Sequence, residues 1–151
     1  VFRRWGVLVT TAVLLGGFHG TWVAPGGLAG MRVSRPELAA HGVALGAGVV
    51  LPLPDGSCPI GWTSGIVDYL AGESARRCGP CRNGLPAMAD EVAWLAAGHS
   101  AASYARIGEL AGLVAGRGAC AHPDGTARLV RTMLTAFPDE VGEHLRGRCA
   151  W

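Results

Sequence analysis

Residues 73–84 read Glu-Ser-Ala-Arg-Arg-Cys-Gly-Pro-Cys-Arg-Asn-Gly and place Cys78 and Cys81 two residues apart, between two helical segments. This spacing allows both sulfurs to reach one metal ion or cluster, and a third ligand must then come from a distant loop. Cys120 lies in such a loop, at residues 116–123, directly before another predicted helix. Helix N-termini favour thiolates, because they present free N–H groups and the positive end of the helix dipole. Cys78, Cys81 and Cys120 are therefore the candidate metal ligands.

The Cys-Gly-Pro-Cys tetrapeptide by itself is compatible with four interpretations. It is also the dithiol motif of thioredoxin, but there it follows an apolar strand, whereas here it follows a helical segment. A zinc ion would find a closed tetrahedral set in the three cysteines and His122. An iron–sulfur cluster would take the three thiolates. Three buried cysteines without a ligand are the fourth interpretation.

Apolar residues recur at helical spacing on both sides of the motif. From residue 62 onward this period predicts a bundle of four to five helices. Thr63 or Ser64 is the expected cap of the first helix, and Asp124 or Thr126 is expected to open the fourth. The predicted segments are residues 63–77, 85–95, 104–114, 124–137 and 138–145.

The region before residue 62 has the composition of a small β domain. Glycines and prolines separate short apolar runs at residues 7–15, 30–33 and 48–53, which predict three strands, with a short helix over 35–41. The first twenty residues also fit a signal peptide, but the strand interpretation is favoured. We therefore predict an α+β protein with a β domain at residues 1–61 and a helical domain at residues 62–151.

Isolated histidines and aromatic residues carry no site signal. We expect His19 and Trp22 to be a strand-end histidine and a packed tryptophan. His41, His99 and His144 are expected to lie on the surface, because none has a ligand partner in sequence spacing. Cys58 and Cys149 lie apart from the motif in the sequence.

Composition excludes several classes of protein. Half of the 151 residues are apolar and 16% are charged, so the chain can bury a core. All 13 basic residues are arginine, yet the net charge is only +2 and no basic block exceeds two residues, so we expect no nucleic-acid partner. Five cysteines cannot form a fully paired disulfide framework. The apolar run near the N-terminus is too short for a membrane span.

The order of these motifs resembles the flavoprotein subunit (the F subunit) of NADH-quinone oxidoreductase. That family reads Glu-Ser-Cys-Gly-x-Cys-x-Pro-Cys-Arg-x-Gly, and a later loop carries a fourth cysteine in Gly-x-x-x-Cys-Ala. Residues 73–84 and 116–121 follow this pattern, and residues 137–140 resemble the family's ending. Residues 16–22 and 45–50 resemble its soluble-ligand-binding β-grasp (SLBB) domain and the strand that leaves it.

The resemblance implies an electron-transfer module with a [4Fe-4S] cluster on Cys78, Cys81 and Cys120. The family's first cluster cysteine is Ala75 here, so the fourth iron would take His122, Cys58, a hydroxide or nothing, and a [3Fe-4S] cluster or loss of the cluster are alternatives. A zinc-stabilised or metal-free interaction module of the same descent is the competing interpretation.

The family's flavin- and NADH-binding domain is absent from these 151 residues. We therefore expect no binding of FMN or NADH by this chain alone, and an oxidoreductase component instead of a complete enzyme. Its expected partners are other redox subunits or a flavin-binding protein. The expected location is the cytoplasm, peripheral on the inner face of the membrane through those partners.

Overall fold

The computed structural model describes residues 12–28, 30, 32–99 and 101–149. Within these residues three short strands and six α-helices confirm the predicted α+β class. The strands are β1 (Val13–Leu15), β2 (Thr21–Val23) and β3 (Val50–Pro52). The helices are α1 (Arg35–Ala40), α2 (Pro59–Gly72), α3 (Leu85–Ala96), α4 (Ala101–Val114), α5 (His122–Ala136) and α6 (Pro138–Leu145).

The central strand of the sheet is β1, which pairs antiparallel with both β2 and β3. Because successive side chains of a strand point to opposite faces, β1 contributes to two cores. Leu14 packs in the main core with the helices. Val13 and Leu15 pack with Leu38 of α1 in a second, smaller core. Burial on both faces explains why this segment is apolar throughout rather than alternating.

Two of the three predicted strands are confirmed in part. β1 occupies the end of the predicted 7–15 segment, whose residues 7–11 lie outside the described residues, and β3 lies within 48–53. The strand predicted at 30–33 is wrong. Gly30 lies in a turn with φ +77°, and Val33 is exposed. The strand that forms is β2, because Trp22 is buried against the ring of Phe137, with centroids 5.6 Å apart.

The five helices predicted after residue 62 are α2 to α6. Two of their starts were predicted wrongly. α2 begins at Pro59, and Cys58 is its N-cap, since its Sγ accepts the N–H of Gly61 at 3.2 Å. Thr63 is instead buried inside α2 and donates to the carbonyl of Pro59 at 2.7 Å. α5 begins at His122, ahead of both predicted caps.

The helices and one face of the sheet share a single core. α3 packs against α2 and α4, and α5 packs against α4 and β2. Fully buried side chains at its centre include Leu85, Met88, Ile107 and Met133. The predicted domain boundary at 61/62 falls inside α2 and stays a prediction. Across the described ranges, every helix is too short or too polar to cross a membrane.

Candidate metal centre

The Cys-Gly-Pro-Cys segment lies where α2 is followed by α3. Helical backbone begins at Gly79, and Cys81 lies within a π-helical turn, Pro80–Gly84, that continues into α3. Cys81 is buried, whereas Cys78 is partly exposed. The hydroxyl of Ser74 donates to the carbonyl of Cys81 at 3.3 Å and holds the preceding loop against the turn. Cys81 thus sits inside the fold, and Cys78 sits at its surface.

A glycine brings this turn close to α4. A Cβ at Gly84 would collide with Cγ1 of Val114, the last residue of α4. No larger side chain fits at Gly84 unless Val114 moves, so this glycine sets how closely the cysteine turn approaches α4.

The loop that carries Cys120 is anchored to the same region. The carboxylate of Asp124 accepts the N–H of Gly116 at 2.6 Å, which closes the loop onto the first turn of α5. His122 donates from Nε2 to the carbonyl of Leu70 in α2 at 2.9 Å. The backbone N–H of Ala119 lies near enough to the sulfur of Cys78 to lower the pKa of that thiol. These bonds bring the Cys120 loop onto the Cys78 loop.

The pKa values of Cys78 and Cys81 are shifted in opposite directions. Backbone N–H groups of Ala119 and Cys81 lower the pKa of Cys78, since they stabilise its thiolate. Burial raises the pKa of Cys81 to about 11, and the neighbouring Cys78 and Cys120 add to the rise. Cys120 is exposed. The three predicted site residues are therefore neighbours, and the pKa of Cys78 is the one that is lowered.

Strain and positive charge mark the segment before Cys78. Arg76 has φ +52° and is the non-glycine residue with a positive φ among those the structure describes. It occupies the position that is glycine in the Glu-Ser-Cys-Gly motif, which explains why that position favours glycine. Arg76, Arg77 and Arg82 are exposed, and Ala75, the position of the missing cysteine, is also exposed.

The candidates for a fourth ligand separate in the structure. His122 lies two residues after Cys120 and packs edge-on against the ring of His19, with centroids 5.0 Å apart. Cys58 instead contacts His144, with 3.2 Å between Sγ and Nε2. Within the described ranges, no three donors drawn from Cys78, Cys81, Cys120 and His122 lie within 4.8 Å of one another. This separation is wider than the edge of a zinc tetrahedron, about 3.3–3.8 Å for ordinary zinc–ligand bonds.

A second group of donor side chains was missed by the sequence analysis. One donor atom each from Cys58, Glu140, His144 and Cys149 lie within 4.8 Å of one another. The prediction that His144 lies on the surface is wrong, since it is 1% exposed. The i, i+4 spacing of Glu140 and His144 on one helix was the available signal. The two cysteines, distant in sequence, are brought to them only by the fold. Trp22 is buried, and His41 and His99 are exposed, as predicted.

The model of a family described as the NADH-ubiquinone oxidoreductase-F iron-sulfur binding region matches residues 62–144. The chain belongs to this family. The match covers α3 to α6, most of α2 and all three candidate cysteines. It confirms the resemblance and assigns the helical region to iron–sulfur binding.

Curated relatives agree with the family. The chain is 28% identical over 138 residues to the NADH-quinone oxidoreductase F subunit 2 of Rhizobium meliloti, which is 91% of this chain and 32% of that protein. It is 27% identical over 112 residues to the NADH-quinone oxidoreductase F subunit of Streptomyces coelicolor, or 74% and 25% of the two chains. The chain therefore spans a quarter to a third of these relatives.

Solved structures share the fold. A chain of an NAD+-reducing [NiFe]-hydrogenase in its H2-reduced state superposes with a TM-score of 0.73 and 21% identity. The match covers 90% of this chain and 23% of that one. The air-oxidised form of such a hydrogenase gives the same values.

Proposed function

We propose that this iron–sulfur region holds a cluster on Cys78, Cys81 and Cys120 and passes electrons from a flavin bound elsewhere. The observation that carries the proposal is the closeness of the two cysteine loops. His122, beside Cys120, donates to the carbonyl of Leu70 at 2.9 Å, the backbone N–H of Ala119 lowers the pKa of Cys78, and the neighbouring Cys120 adds to the raised pKa of Cys81. Cys120 comes this close although it lies 39 residues after Cys81 in the sequence.

The spacing and the pKa shifts of the three thiols suit an iron–sulfur cluster. Within the described ranges no three of the four candidate donors lie within 4.8 Å of one another, a spacing that favours a cluster with iron atoms at separate corners over a single ion. The lowered pKa of Cys78 favours its thiolate, the form that binds iron. The pKa of Cys81 is raised while it faces two other thiols, and binding iron would release that proton.

Positive charge near the site fits an anionic group. Cys78 lies at the N-terminal end of the helical segment that starts at Gly79, where backbone N–H groups and the helix dipole stabilise negative charge. Arg76, Arg77 and Arg82 surround the segment and add three cations. These residues tune the reduction potential through charge and hydrogen bonding to sulfur.

The fourth ligand position determines the cluster type. Ala75 offers no thiol, so we propose a [4Fe-4S] cluster with one non-cysteine ligand, and a [3Fe-4S] cluster as the alternative. His122 is the nearest ligand type to the three cysteines in the sequence. Its Nε2 is committed to Leu70, which leaves Nδ1 as the nitrogen available for iron.

The function proposed for the chain is that of a relay component. A bound cluster of this kind accepts and releases single electrons. FMN and NADH would bind a partner or a segment outside these 151 residues, and other redox subunits would receive the electrons. Such partners would hold the chain at the inner face of the membrane, in the cytoplasm.

We also propose that residues 1–61 form a divergent SLBB-like unit. β1, β2 and β3 with α1 are the described part of that unit. A three-stranded sheet of order β2-β1-β3 beside one short helix supports the proposal.

The decisive experiment is anaerobic purification or reconstitution of the full chain, with iron, acid-labile sulfide and zinc measured together with the visible spectrum. We expect a brown protein with sulfide equal to iron. Cys120→Ser should lose the iron and the colour, whereas His41→Gln, at an exposed position outside both donor groups, should keep both.

Three other outcomes would each overturn the proposal. Colourless protein whose zinc is lost in Cys120→Ser supports a zinc-stabilised module. Colourless protein that reduces disulfides equally well in Cys120→Ser and wild type supports a dithiol enzyme. The lowered pKa of Cys78 and the raised pKa of Cys81 suit that chemistry as well. Colourless protein with neither property is a metal-free interaction module.

A further inference from the structure

A second set of metal donors lies where the start of α2 meets α6 and the segment after it. Cys58 caps α2, Glu140 and His144 lie one turn apart on α6, and Cys149 follows α6. One donor atom from each lies within 4.8 Å of the other three. We propose that Cys58, Glu140, His144 and Cys149 bind a structural Zn2+ ion, separate from the cysteines of the cluster site.

The spacing of the donors matches a zinc tetrahedron. The Sγ of Cys58 lies 3.2 Å from Nε2 of His144, and that nitrogen lies 3.5 Å from Oε1 of Glu140. The edge of a tetrahedron with ordinary zinc–sulfur, zinc–nitrogen and zinc–oxygen bonds is about 3.3–3.8 Å. Both distances are close to this edge, so the side chains need only small shifts to surround an ion.

The imidazole of His144 is oriented in the way that zinc-binding histidines are. Its Nδ1 lies 3.1 Å from the carbonyl of Leu95 at the end of α3. A carbonyl can only accept, so Nδ1 carries the hydrogen, and in the neutral ring Nε2 then presents its lone pair to the other donors. A backbone carbonyl on the remote nitrogen is the common outer contact of a metal-bound histidine. His144 is 1% exposed, so packing fixes this orientation.

Glu140 supplies an independent sign of a cation site. Its Oε1 is buried, and within the described part of the chain it has no hydrogen-bond partner. A buried carboxylate oxygen without a partner is costly, because it has lost water and gained nothing in return. It lies 3.5 Å from Nε2 of His144, so with the neutral imidazole two acceptors point at each other. A Zn2+ ion between them would satisfy both.

The donor types and the charge also suit zinc. Two sulfurs, one imidazole and one carboxylate are all ligands that Zn2+ accepts, and four protein ligands make a closed, structural site. Binding would release the two thiol protons to solvent and leave a net charge of −1 on the centre. Cys149 is exposed, which gives the ion a path to a site that is otherwise within the protein. The ion would tie α2, α6 and the segment after α6 together.

The test is zinc binding by the full chain under reducing conditions, measured by elemental analysis and by competition with a chromophoric chelator. We expect one equivalent of zinc to be retained. Cys58→Ser and His144→Ala should each weaken zinc binding by at least about 100-fold, since even an outer-shell change costs 10- to 100-fold. Asp139→Asn, which changes the exposed neighbour of Glu140 on α6, is the matched control and should bind zinc normally. Cys120→Ser should also bind zinc normally.

A second measurement requires no variant and so does not depend on a mutant's folding. Zinc added to the reduced, metal-free chain should protect Cys58 and Cys149 from alkylation, as mapped by peptide mass. Co2+ in place of zinc should give sulfur-to-cobalt charge transfer and the intense ligand-field bands of a tetrahedral centre. The proposal is overturned by equal alkylation with and without zinc, by a Cys58–Cys149 disulfide that persists under the reducing conditions of the zinc assay, or by zinc that is lost in Cys120→Ser but kept in Cys58→Ser.

Discussion

The imidazole of His19 packs edge-on against the imidazole of His122, with ring centroids 5.0 Å apart and planes at 80°. His19 belongs to the glycine-rich turn between β1 and β2, and His122 opens α5 directly after the Cys120 loop. The contact therefore connects the sheet to one side of the candidate metal centre. Protonation of His19, or a larger residue at Gly125, on which its ring packs, should therefore change the free energy of unfolding.

The first prediction concerns pH. Burial lowers the pKa of His19 from 6.5, and the nearby His122 and Arg128 lower it further. Between the lowered pKa and 6.5, the unfolded chain binds more protons at this residue than the folded chain does. The free energy of unfolding should therefore fall as the pH drops through 6.5, and this contribution should level off below the folded pKa.

Denaturant unfolding at a series of pH values checks this. His19→Gln should flatten the fall, and His41→Gln, at an exposed position, should leave it unchanged. The prediction would be contradicted if the free energy of unfolding changed equally with pH in the wild type and in His19→Gln.

The second prediction concerns Gly125, on which the ring of His19 rests. A Cβ at this position would lie 2.5 Å from Cγ of His19 and 2.7 Å from its Cβ. Gly125→Ala should therefore lower the free energy of unfolding by about 1–3 kcal/mol, although alanine favours helix more than glycine does.

Gly108→Ala in α4 is the matched control, because nothing lies within 4 Å of the added carbon. It should raise the free energy of unfolding by about 0.4–1 kcal/mol. Changes of the same sign in the two variants would show that the contact with His19 is unimportant.

The third prediction concerns the strained residue before Cys78. Arg76 has φ +52°, where a side chain is disfavoured and glycine is not. Arg76→Gly should raise the free energy of unfolding of the metal-free chain by about 0.5–1 kcal/mol, because relief of this strain outweighs the added freedom of the unfolded chain. Arg77→Gly, a change of the same type at the next exposed position, should lower it. Thermal or chemical unfolding of both variants measures this effect. A lower free energy of unfolding in Arg76→Gly would contradict the claim that the positive φ of Arg76 destabilises the folded chain.

The fourth prediction restores the missing ligand. Ala75→Cys places a thiol at the motif position that the family fills with cysteine, three residues before Cys78. We expect iron in the reconstituted chain to rise toward about four per chain and the colour to persist longer in air, because every iron of a cubane then has a thiolate.

Iron and sulfide analysis with a time course of bleaching in air measures this effect. Ala39→Cys, which adds an exposed thiol on α1, should change neither quantity. Unchanged iron in Ala75→Cys would mean that position 75 does not face the cluster.

Much of the helical part could be predicted, because its signals are local. The 3.6-residue period placed the helices that became α2 to α6, and the buried Leu85, Met88 and Val92 confirm the face predicted for α3. Helix starts were less predictable. Cys58 caps α2 with a sulfur, a weak and uncommon N-cap, so Thr63 was the better candidate by type. The strand predicted at 30–33 failed because burial of Trp22 against Phe137, a contact between distant residues, decided which segment paired with β1.

The sequence by itself determined the α+β class, the helical bundle and the three cysteines of the family motif, because residue spacing encodes helix faces and short ligand loops. Tertiary structure alone decided the rest. It set the contact of Ala119 with Cys78, the differing pKa values of Cys78 and Cys81, and the burial of His144. It also brought Cys58 and Cys149 to Glu140 and His144. Such groupings depend on packing between segments up to 91 residues apart, which no local pattern records.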